Sequence, residues 1–301
     1  MIDIKYDIIG KIFSSNSCGN FIVLGRIFYL PEDYEPKYAR YAIKFLNTGC
    51  ITDASYDAIR HGRVRDFMKP SVAGIGFVGS EILVSDPEFL ELYKAWNDMI
   101  NRCYNPTDGD YPLYGGLGIK VDPRWFNFTV FATDAHFLPL YEKKEKYPML
   151  YQLDKDYKQL HIPKSQRVYS PETCMWLSTF DNSIVMTRDK ETSSGYYGVT
   201  FKDGSWATRV NNAVYGRFTT PEAAANLYNY VYTKLRHEFN DILLLNNVPY
   251  IPFDELKNYC VGSTTIRGIG VGSKWTRSGS ASLYQIPNYN VNEELYTDIK
   301  E

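Results

Sequence analysis

The residues best suited to chemistry lie on one face of a hairpin that the sequence predicts near residue 203. Asp203-Gly204 stands between two segments of alternating residues, which is the strongest short-range signal for a two-residue hairpin turn. Because successive side chains of a strand point to opposite faces, one face carries small, polar and basic residues. These are Thr200, Lys202, Ser205, Ala207 and Arg209. Lysine and arginine bind phosphates and base edges, so this face suits a nucleic-acid groove.

The opposite face of the same hairpin is apolar and requires a core. A two-residue turn pairs Phe201 with Trp206 and Val199 with Thr208, which places these residues with Val210 on one face. The sequence therefore predicts a hairpin with one buried side and one open side.

A helix is predicted after a third short strand around 214–218. Thr220 can cap this helix, Pro221 fits its first turn, and Glu222 suits the positive end of the helix dipole. Apolar residues then follow at helical spacing: Ala224, Leu227, Tyr228, Val231 and Leu235. The element order is three strands and one amphipathic helix.

This element order resembles the APETALA-two/ERF DNA-binding domain, in which a helix backs a three-stranded sheet. The matching residues are Tyr197-Gly198-Val199, Trp206-Ala207 and Gly216-Arg217-Phe218-Thr219-Thr220-Pro221-Glu222-Ala223-Ala224. The resemblance implies that the sheet enters the major groove of double-stranded DNA, and that Thr200, Lys202, Arg209 and Arg217 reach it. The alternative is a generic ββ-helix unit in which Phe201 and Trp206 serve only as core.

A second resemblance covers residues 93–184. The chain there is similar to the HNH-type, homing-endonuclease-like proteins of bacteriophages, which often carry an APETALA-two-type module behind the nuclease-like segment. Its anchors are Trp96, Met99, Arg102-Cys103, Tyr114-Gly115-Gly116, Gly118-Ile119, Arg124-Trp125, Phe128, Phe131, Leu153-Asp154-Lys155-Asp156, Tyr169-Ser170-Pro171-Glu172, Cys174, Trp176 and Asn182.

The HNH resemblance implies a site for phosphodiester hydrolysis. In such a site one divalent ion, usually Mg²⁺, is held by an aspartate and an asparagine or histidine, and a histidine at the end of the first strand activates water. Asp154 and Asn182 match the metal ligands, but Lys155 stands at the place of the histidine. Lysine is protonated at neutral pH and cannot take a proton, although it can hold a phosphate. His161 replaces the base only if its loop folds back, and is otherwise an exposed loop residue.

Other departures from the family pattern concern the arginine and the cysteines. Leu117 replaces the arginine of the glycine-rich segment, and Asp122 replaces a cysteine before Arg124. Cys103 and Cys174 form an incomplete zinc set, since no histidine stands at ligand spacing, and are interpreted as buried core thiols.

The composition predicts a cytoplasmic protein that has no membrane partner. The 301 residues carry a net charge of −2, which does not exclude DNA binding because local charge decides phosphate contacts. No apolar segment approaches the ~20 residues that span a bilayer, and the first residues do not resemble a signal peptide. Five scattered cysteines, without a C-x-x-C pair, indicate reduced thiols.

The predicted fold class is α+β, with several domains. We expect a β-rich N-terminal module (1–82), an HNH-endonuclease-like domain (85–190), an APETALA-two/ERF-like domain (191–247) and a C-terminal extension (248–301). Residues 74–79 are glycine-rich but lack the context of a dinucleotide loop, so they are predicted to be a linker. Residues 142–146 are predicted to be a solvated connection.

Three functions follow from these patterns. The first is a Mg²⁺-dependent DNA endonuclease, which the family resemblance favours. The second is a nuclease-derived protein that binds double-stranded DNA and regulates without cutting, which the missing histidine favours. The third is a structural or host-interaction protein that keeps the modules as scaffolds.

Overall fold

The predicted α+β class is confirmed by the structure, which is a computed structural model. It describes residues 8–27, 40–82, 84–188, 193–210, 213–234, 239–262 and 266–267. The chain forms two compact units, Met1–Pro148 with His161–Trp176, and Met149–Leu160 with Leu177–Glu301. The predicted HNH-like segment 85–190 is therefore divided between the units. Among the described residues, no helix has the length and apolarity that a bilayer crossing requires.

The first unit begins with a four-stranded antiparallel sheet in the order β1-β2-β3-β4. Its strands are β1 (Ile12–Ser15), β2 (Gly19–Ile27), β3 (Arg40–Phe45) and β4 (Ile51–Ser55), followed by the short helix α1 (Tyr56–Arg60). Phe21, Val23, Ile43 and Phe45 are fully buried on its inner face. The β-rich character predicted for residues 1–82 is thus present in the described part of this segment.

The rest of the first unit is mainly helical. Its elements are α2 (Pro87–Tyr104), β5 (Lys120–Val121), α3 (Phe128–Ala135), α4 (Tyr141–Lys146) and β7 (Val168–Tyr169), with β5 and β7 paired in parallel. Every residue that helical spacing assigns to the inner face of α2 is buried: Leu92, Trp96, Met99, Ile100 and Cys103. Ser85 and Glu88 match a capping box in the sequence, but the helix is capped by Asp86, one residue later. Residues 142–146 form most of a helix instead of a plain connection.

The glycine-rich segment 74–79 is a packed part of the first unit, so its interpretation as a linker is wrong. The amide of Phe77 donates to the carbonyl of Phe126 at 2.9 Å, and its carbonyl accepts from Phe128 at 2.8 Å. A Cβ on Gly79 would lie 1.9 Å from the side chain of Asn127. Glycine is needed here because the segment lies directly against the start of α3.

The second unit contains two strand-and-helix groups. The first comprises β6 (Tyr151–Asp154), α5 (Thr179–Arg188) and the last two residues of β8, a strand that spans Met175–Ser178. Strands β6 and β8 form a two-stranded sheet. The second comprises β9 (Val199–Lys202), β10 (Ser205–Val210), β11 (Ala213–Phe218) and α6 (Pro221–Lys234). The three strands form an antiparallel sheet in the order β11-β10-β9, as the sequence predicts.

The predicted hairpin register is confirmed. Phe201 pairs with Trp206, and both turn residues, Asp203 and Gly204, have the positive φ angles (53° and 73°) of a type I′ turn. The prediction that Phe201 belongs to the core is wrong, because its side chain is 56% exposed. It lies at the edge strand and packs against the Trp206 ring, with 4.8 Å between centroids.

Helix α6 packs against the sheet at close range because small residues line the contact. Ala224 is fully buried, and its carbonyl accepts a 2.7 Å hydrogen bond from the Thr208 hydroxyl. A Cβ on Gly198 would lie 2.0 Å from the Tyr228 ring, and Gly198 has a φ of +66°. The glycine of the Tyr-Gly-Val match is therefore required by packing and by backbone conformation. Leu235, predicted on the apolar face of α6, lies outside the described residues.

An extended segment, residues 239–251, completes the second unit, and we call it the strap. Two asparagines of α6 bind its backbone. Asn229 donates to the carbonyl of Asn246 at 3.0 Å and accepts from its amide at 2.7 Å. Asn226 likewise donates to Pro249 at 2.9 Å and accepts from Ile251 at 3.0 Å.

The strap also binds the first group of the same unit. The carboxylate of Asp181, in α5, accepts from the amide of Asp241 at 2.6 Å and from Ile242 at 3.2 Å. The Tyr151 hydroxyl donates to Asp241 at 2.7 Å. Both strand-and-helix groups are therefore held by one continuous segment, part of which was predicted as a C-terminal extension.

Candidate nucleic-acid interface

The outer face of β9–β11 carries the four side chains predicted to contact DNA. Register puts Thr200, Ala207 and Arg217 in one cross-strand row, and Lys202 opposite Ser205 in the next. Thr200 and Lys202 are exposed, whereas Arg217 is half-buried and Ala207 and Ser205 are buried. The open part of this face is thus its β9 side.

Arg209 lies at an irregularity of the sheet. Thr208 pairs with Gly216 and Arg209 with Val214, so Tyr215 is an extra residue of β11 between these pairs. Such a β-bulge bends the strand and changes the direction of nearby side chains. Arg209 is half-buried, and its own amide donates to the carbonyl of Gly198 at 2.7 Å.

Lys202 and Arg209 differ from Arg217 in their partners. Within the described part of the chain, neither the Lys202 ammonium nor the Arg209 guanidinium has a hydrogen bond or an ion pair. Arg217 instead donates to the carbonyl of Lys202 and to the Ser205 hydroxyl, each at 3.2 Å. Two of the three predicted cations are therefore available to an external anion, while the third is bound by the hairpin turn.

The group that carries Asp154 and Asn182 consists of β6, β8 and α5. Asp154 ends β6 and is only 3% exposed. One of its carboxylate oxygens accepts from the Tyr157 amide at 2.8 Å. Burial raises the pKa of Asp154 to about 6, against the opposing effect of the backbone hydrogen bond from Tyr157. The carboxylate thus stabilises the turn after the strand.

Lys155 cannot act as the sequence suggested. Its side chain is 3% exposed, and its ammonium binds both carboxylate oxygens of Asp156 at 2.9 Å. A buried, paired lysine is accessible neither as a catalytic group nor as a phosphate ligand, so the assignment of Lys155 to the catalytic set is corrected.

The other predicted catalytic and metal residues do not form a complete metal centre. Asn182 lies on α5, and its amide donates to Gln152 on β6 at 3.2 Å. His161 is exposed and belongs to the first unit. Within the ranges that the structure describes, no three His, Cys, Asp or Glu side chains are grouped as metal ligands. Asp154 and Asn182 supply two of the oxygen ligands that a Mg²⁺ ion requires, since the hydrogen bond of Asn182 uses its nitrogen and not its oxygen.

Several anchors of the HNH resemblance have structural roles in the first unit. The Arg102 guanidinium lies over the ring of Tyr114 at 5.0 Å and over that of Tyr169 at 5.7 Å. A Cβ on Gly115 would lie 2.1 Å from the carbonyl oxygen of Cys103. Arginine and glycine at these positions hold the glycine-rich segment to the end of α2.

The exposed anchors of the same unit form an ion-pair group. Arg124 donates to Asp122 and to Glu172, each at 2.9 Å. The hydrogen bonds from Arg124 hold the pKa values of both carboxylates below their ordinary range. Glu172 therefore connects two loops, and Cys103 and Cys174 are buried, in line with their interpretation as core thiols.

Sequence reasoning missed the residues that organise the second unit. Asp181 is fully buried, and burial raises its pKa despite three donors, Asn240 and the amides of Asp241 and Ile242. Asn226 and Asn229 lie one turn apart on α6, so both face the strap. The available signal was a pair of asparagines on the apolar side of an otherwise Ala- and Tyr-rich helix.

Comparisons with known proteins found no match to this chain. No protein-family model matches it, and no curated protein or solved structure is significantly similar to it. The argument for function therefore depends on the site itself.

Proposed function

We propose that this protein binds double-stranded DNA through the outer face of β9–β11, and that it does so as a cytoplasmic, nuclease-derived member of the phage HNH class with an APETALA-two/ERF-like module. The observation that carries the proposal is the pair of cations Lys202 and Arg209, which have no partner among the described residues, beside the exposed Thr200. Phosphate contacts depend on such local cations, so a net charge of −2 is no obstacle.

Binding without cutting is the form of this function that the side chains favour. The residue at the position of the general base, Lys155, is buried against Asp156. Among the described residues, the β6–β8–α5 group offers neither an accessible histidine base nor a third His, Cys, Asp or Glu metal ligand, which are the usual means of activating water. A regulatory or site-occupying role follows from binding alone.

The test is a gel-shift titration over a salt series. Each phosphate contact contributes about 0.9 to the slope of log K against log salt, so Lys202→Ala should lower the slope by about that amount. Arg209→Ala should relax base preference at one position by about 1–3 kcal/mol. Lys257→Ala, an exposed lysine elsewhere in the same unit, is the matched control and should leave both quantities unchanged. A wild-type protein without salt-dependent binding would refute the proposal and leave a structural role.

The second candidate is a Mg²⁺-dependent endonuclease. The observation in its favour is the position of Asp154 at the end of β6 and of Asn182 on the helix that follows β8. If Mg²⁺ binds, these two residues would hold it, and the ion would offset charge on the scissile phosphate. Supercoiled plasmid with protein and Mg²⁺ tests this candidate: nicking that Asp154→Ala abolishes would establish the endonuclease, and its absence would leave binding alone.

A further inference from the structure

We infer that Arg217 is a positioning residue that holds the hairpin turn beneath Lys202, and that it does not itself contact DNA. The inference rests on the proposed function, because it assigns roles within the same face. Of the three cations of that face, Lys202 and Arg209 would bind DNA, and Arg217 would support the hairpin turn.

The turn is the part of the face that most needs support. It joins Lys202 to Ser205 through two residues with left-handed backbone angles, and Asp203 is not a glycine. Aspartate tolerates the left-handed conformation better than most residues with a Cβ but less well than glycine, so neighbouring contacts add to the stability of the turn. The Ser205 hydroxyl supplies one such contact, since it donates to the Lys202 carbonyl at 3.2 Å.

The Arg217 guanidinium supplies the others. It reaches from β11 across Ser205 on β10 and donates to both the Lys202 carbonyl and the Ser205 hydroxyl. Its second terminal nitrogen lies 3.8 Å from the Asp203 carboxylate. One planar group therefore contacts three of the four turn residues: one nitrogen donates to Lys202 and Ser205, and the other faces Asp203, a spread that a single ammonium does not cover.

This arrangement directs the guanidinium towards the protein. The nitrogen that donates to Lys202 and Ser205 is engaged by the turn, whereas the Lys202 ammonium has no hydrogen bond or ion pair in the described part of the chain. Arg217 also offsets the charge of Asp203, the acidic side chain at the tip of the proposed DNA-binding face. Its loss would weaken binding through the turn.

Hydrogen exchange of the free protein tests the turn role independently of DNA. In Arg217→Ala, amides of residues 199–206 should exchange about tenfold faster, since two hydrogen bonds are lost. Arg217→Lys should behave in the same way, because an ammonium cannot reproduce the fork. Asp203→Asn in the Arg217→Ala background should slow exchange again, since Asn-Gly is the preferred type I′ pair. Unchanged exchange in α6 is the control for overall folding, and Arg209→Ala should leave the hairpin rate as in the wild type.

Gel shifts of the same variants decide the second half of the inference. If Arg217 bound a phosphate, Arg217→Lys would retain both the affinity and the slope of log K against log salt. Arg217→Ala would then lower that slope by about 0.9. A positioning residue predicts instead that both variants weaken binding equally. Unchanged hairpin exchange in Arg217→Ala, or full binding by Arg217→Lys, would overturn the inference. If the wild type binds no DNA, the proposed function fails, and the exchange rates alone decide what Arg217 does.

Discussion

Replacing Asp154 by asparagine should change how the stability of this protein depends on pH. The wild-type carboxyl is 3% exposed and has a pKa of about 6, raised by burial. Its ordinary value is about 3.9, and a difference of about two pH units corresponds to about 3 kcal/mol between the two protonation states. The asparagine side chain has nearly the same shape as the aspartate side chain and does not titrate. Its amide oxygen can accept the hydrogen bond from the Tyr157 backbone N–H.

The sign of the effect follows from proton linkage. Between about pH 4 and pH 6 the folded protein keeps its proton on Asp154 while the unfolded chain has lost it, so stability falls as pH rises. Below this window both states are protonated and the penalty is absent, and above it both are ionised and the penalty is complete. The free energy of unfolding of the wild type should therefore drop relative to Asp154→Asn by up to about 3 kcal/mol across the window.

The assay is urea unfolding of both proteins at pH 4.5, 5.5, 6.5 and 7.5, with the difference between them plotted against pH. Taking the difference cancels the titration of all other groups. Asp254→Asn, an exposed carboxylate in the same unit, is the control and should give a nearly flat difference. A flat difference for Asp154→Asn as well would refute the burial argument.

Adding Mg²⁺ to the same experiment addresses the nuclease candidate. An ion bound to the Asp154 carboxylate would stabilise the charged form and lower its pKa, so the pH-dependent difference would shrink. If Mg²⁺ leaves the difference unchanged, the residue has a structural role, which is what its hydrogen bond with Tyr157 indicates.

Two further substitutions test the packing of the second unit. Gly198→Ala should destabilise it by about 3 kcal/mol or more, because a Cβ there would lie 2.0 Å from a buried ring. Gly204→Ala, with a similar φ and open space around it, should cost only about 1 kcal/mol of strain; similar losses for both in thermal unfolding would contradict the packing argument. Asn226→Ala should cost about 1–2 kcal/mol, since it removes hydrogen bonds to a part-buried donor and acceptor of the strap. Asn247→Ala, exposed on the strap, is its control, and equal effects in urea unfolding would show that the strap is not held by the helix.

Elements with strong local periodicity could be predicted from the sequence. The hairpin register at Asp203-Gly204 and the buried face of α2 both depend on neighbouring residues, and the structure confirms them. These features are determined by turn chemistry and by the periods of strand and helix.

The candidate site could be predicted only as a set of residue types. The side chains of Lys202 and Arg217 both belong to the outer face by alternation, but only the folded chain shows that the second is bound by the turn. Lysine is ordinarily a surface residue, but Lys155 is buried. Alternation determines the face of a side chain but not the partners that it meets there.

The sequence by itself therefore determined which residues share a strand or a helix face, because that information is local. Only the tertiary structure decided which of them are open to a partner, since this depends on segments distant in the chain. The strap joins Asp181 to Asn226 through backbone with no periodic pattern, and Phe201 is exposed because its strand lies at the sheet edge. Burial and pairing are properties of the whole fold, and no local pattern encodes them.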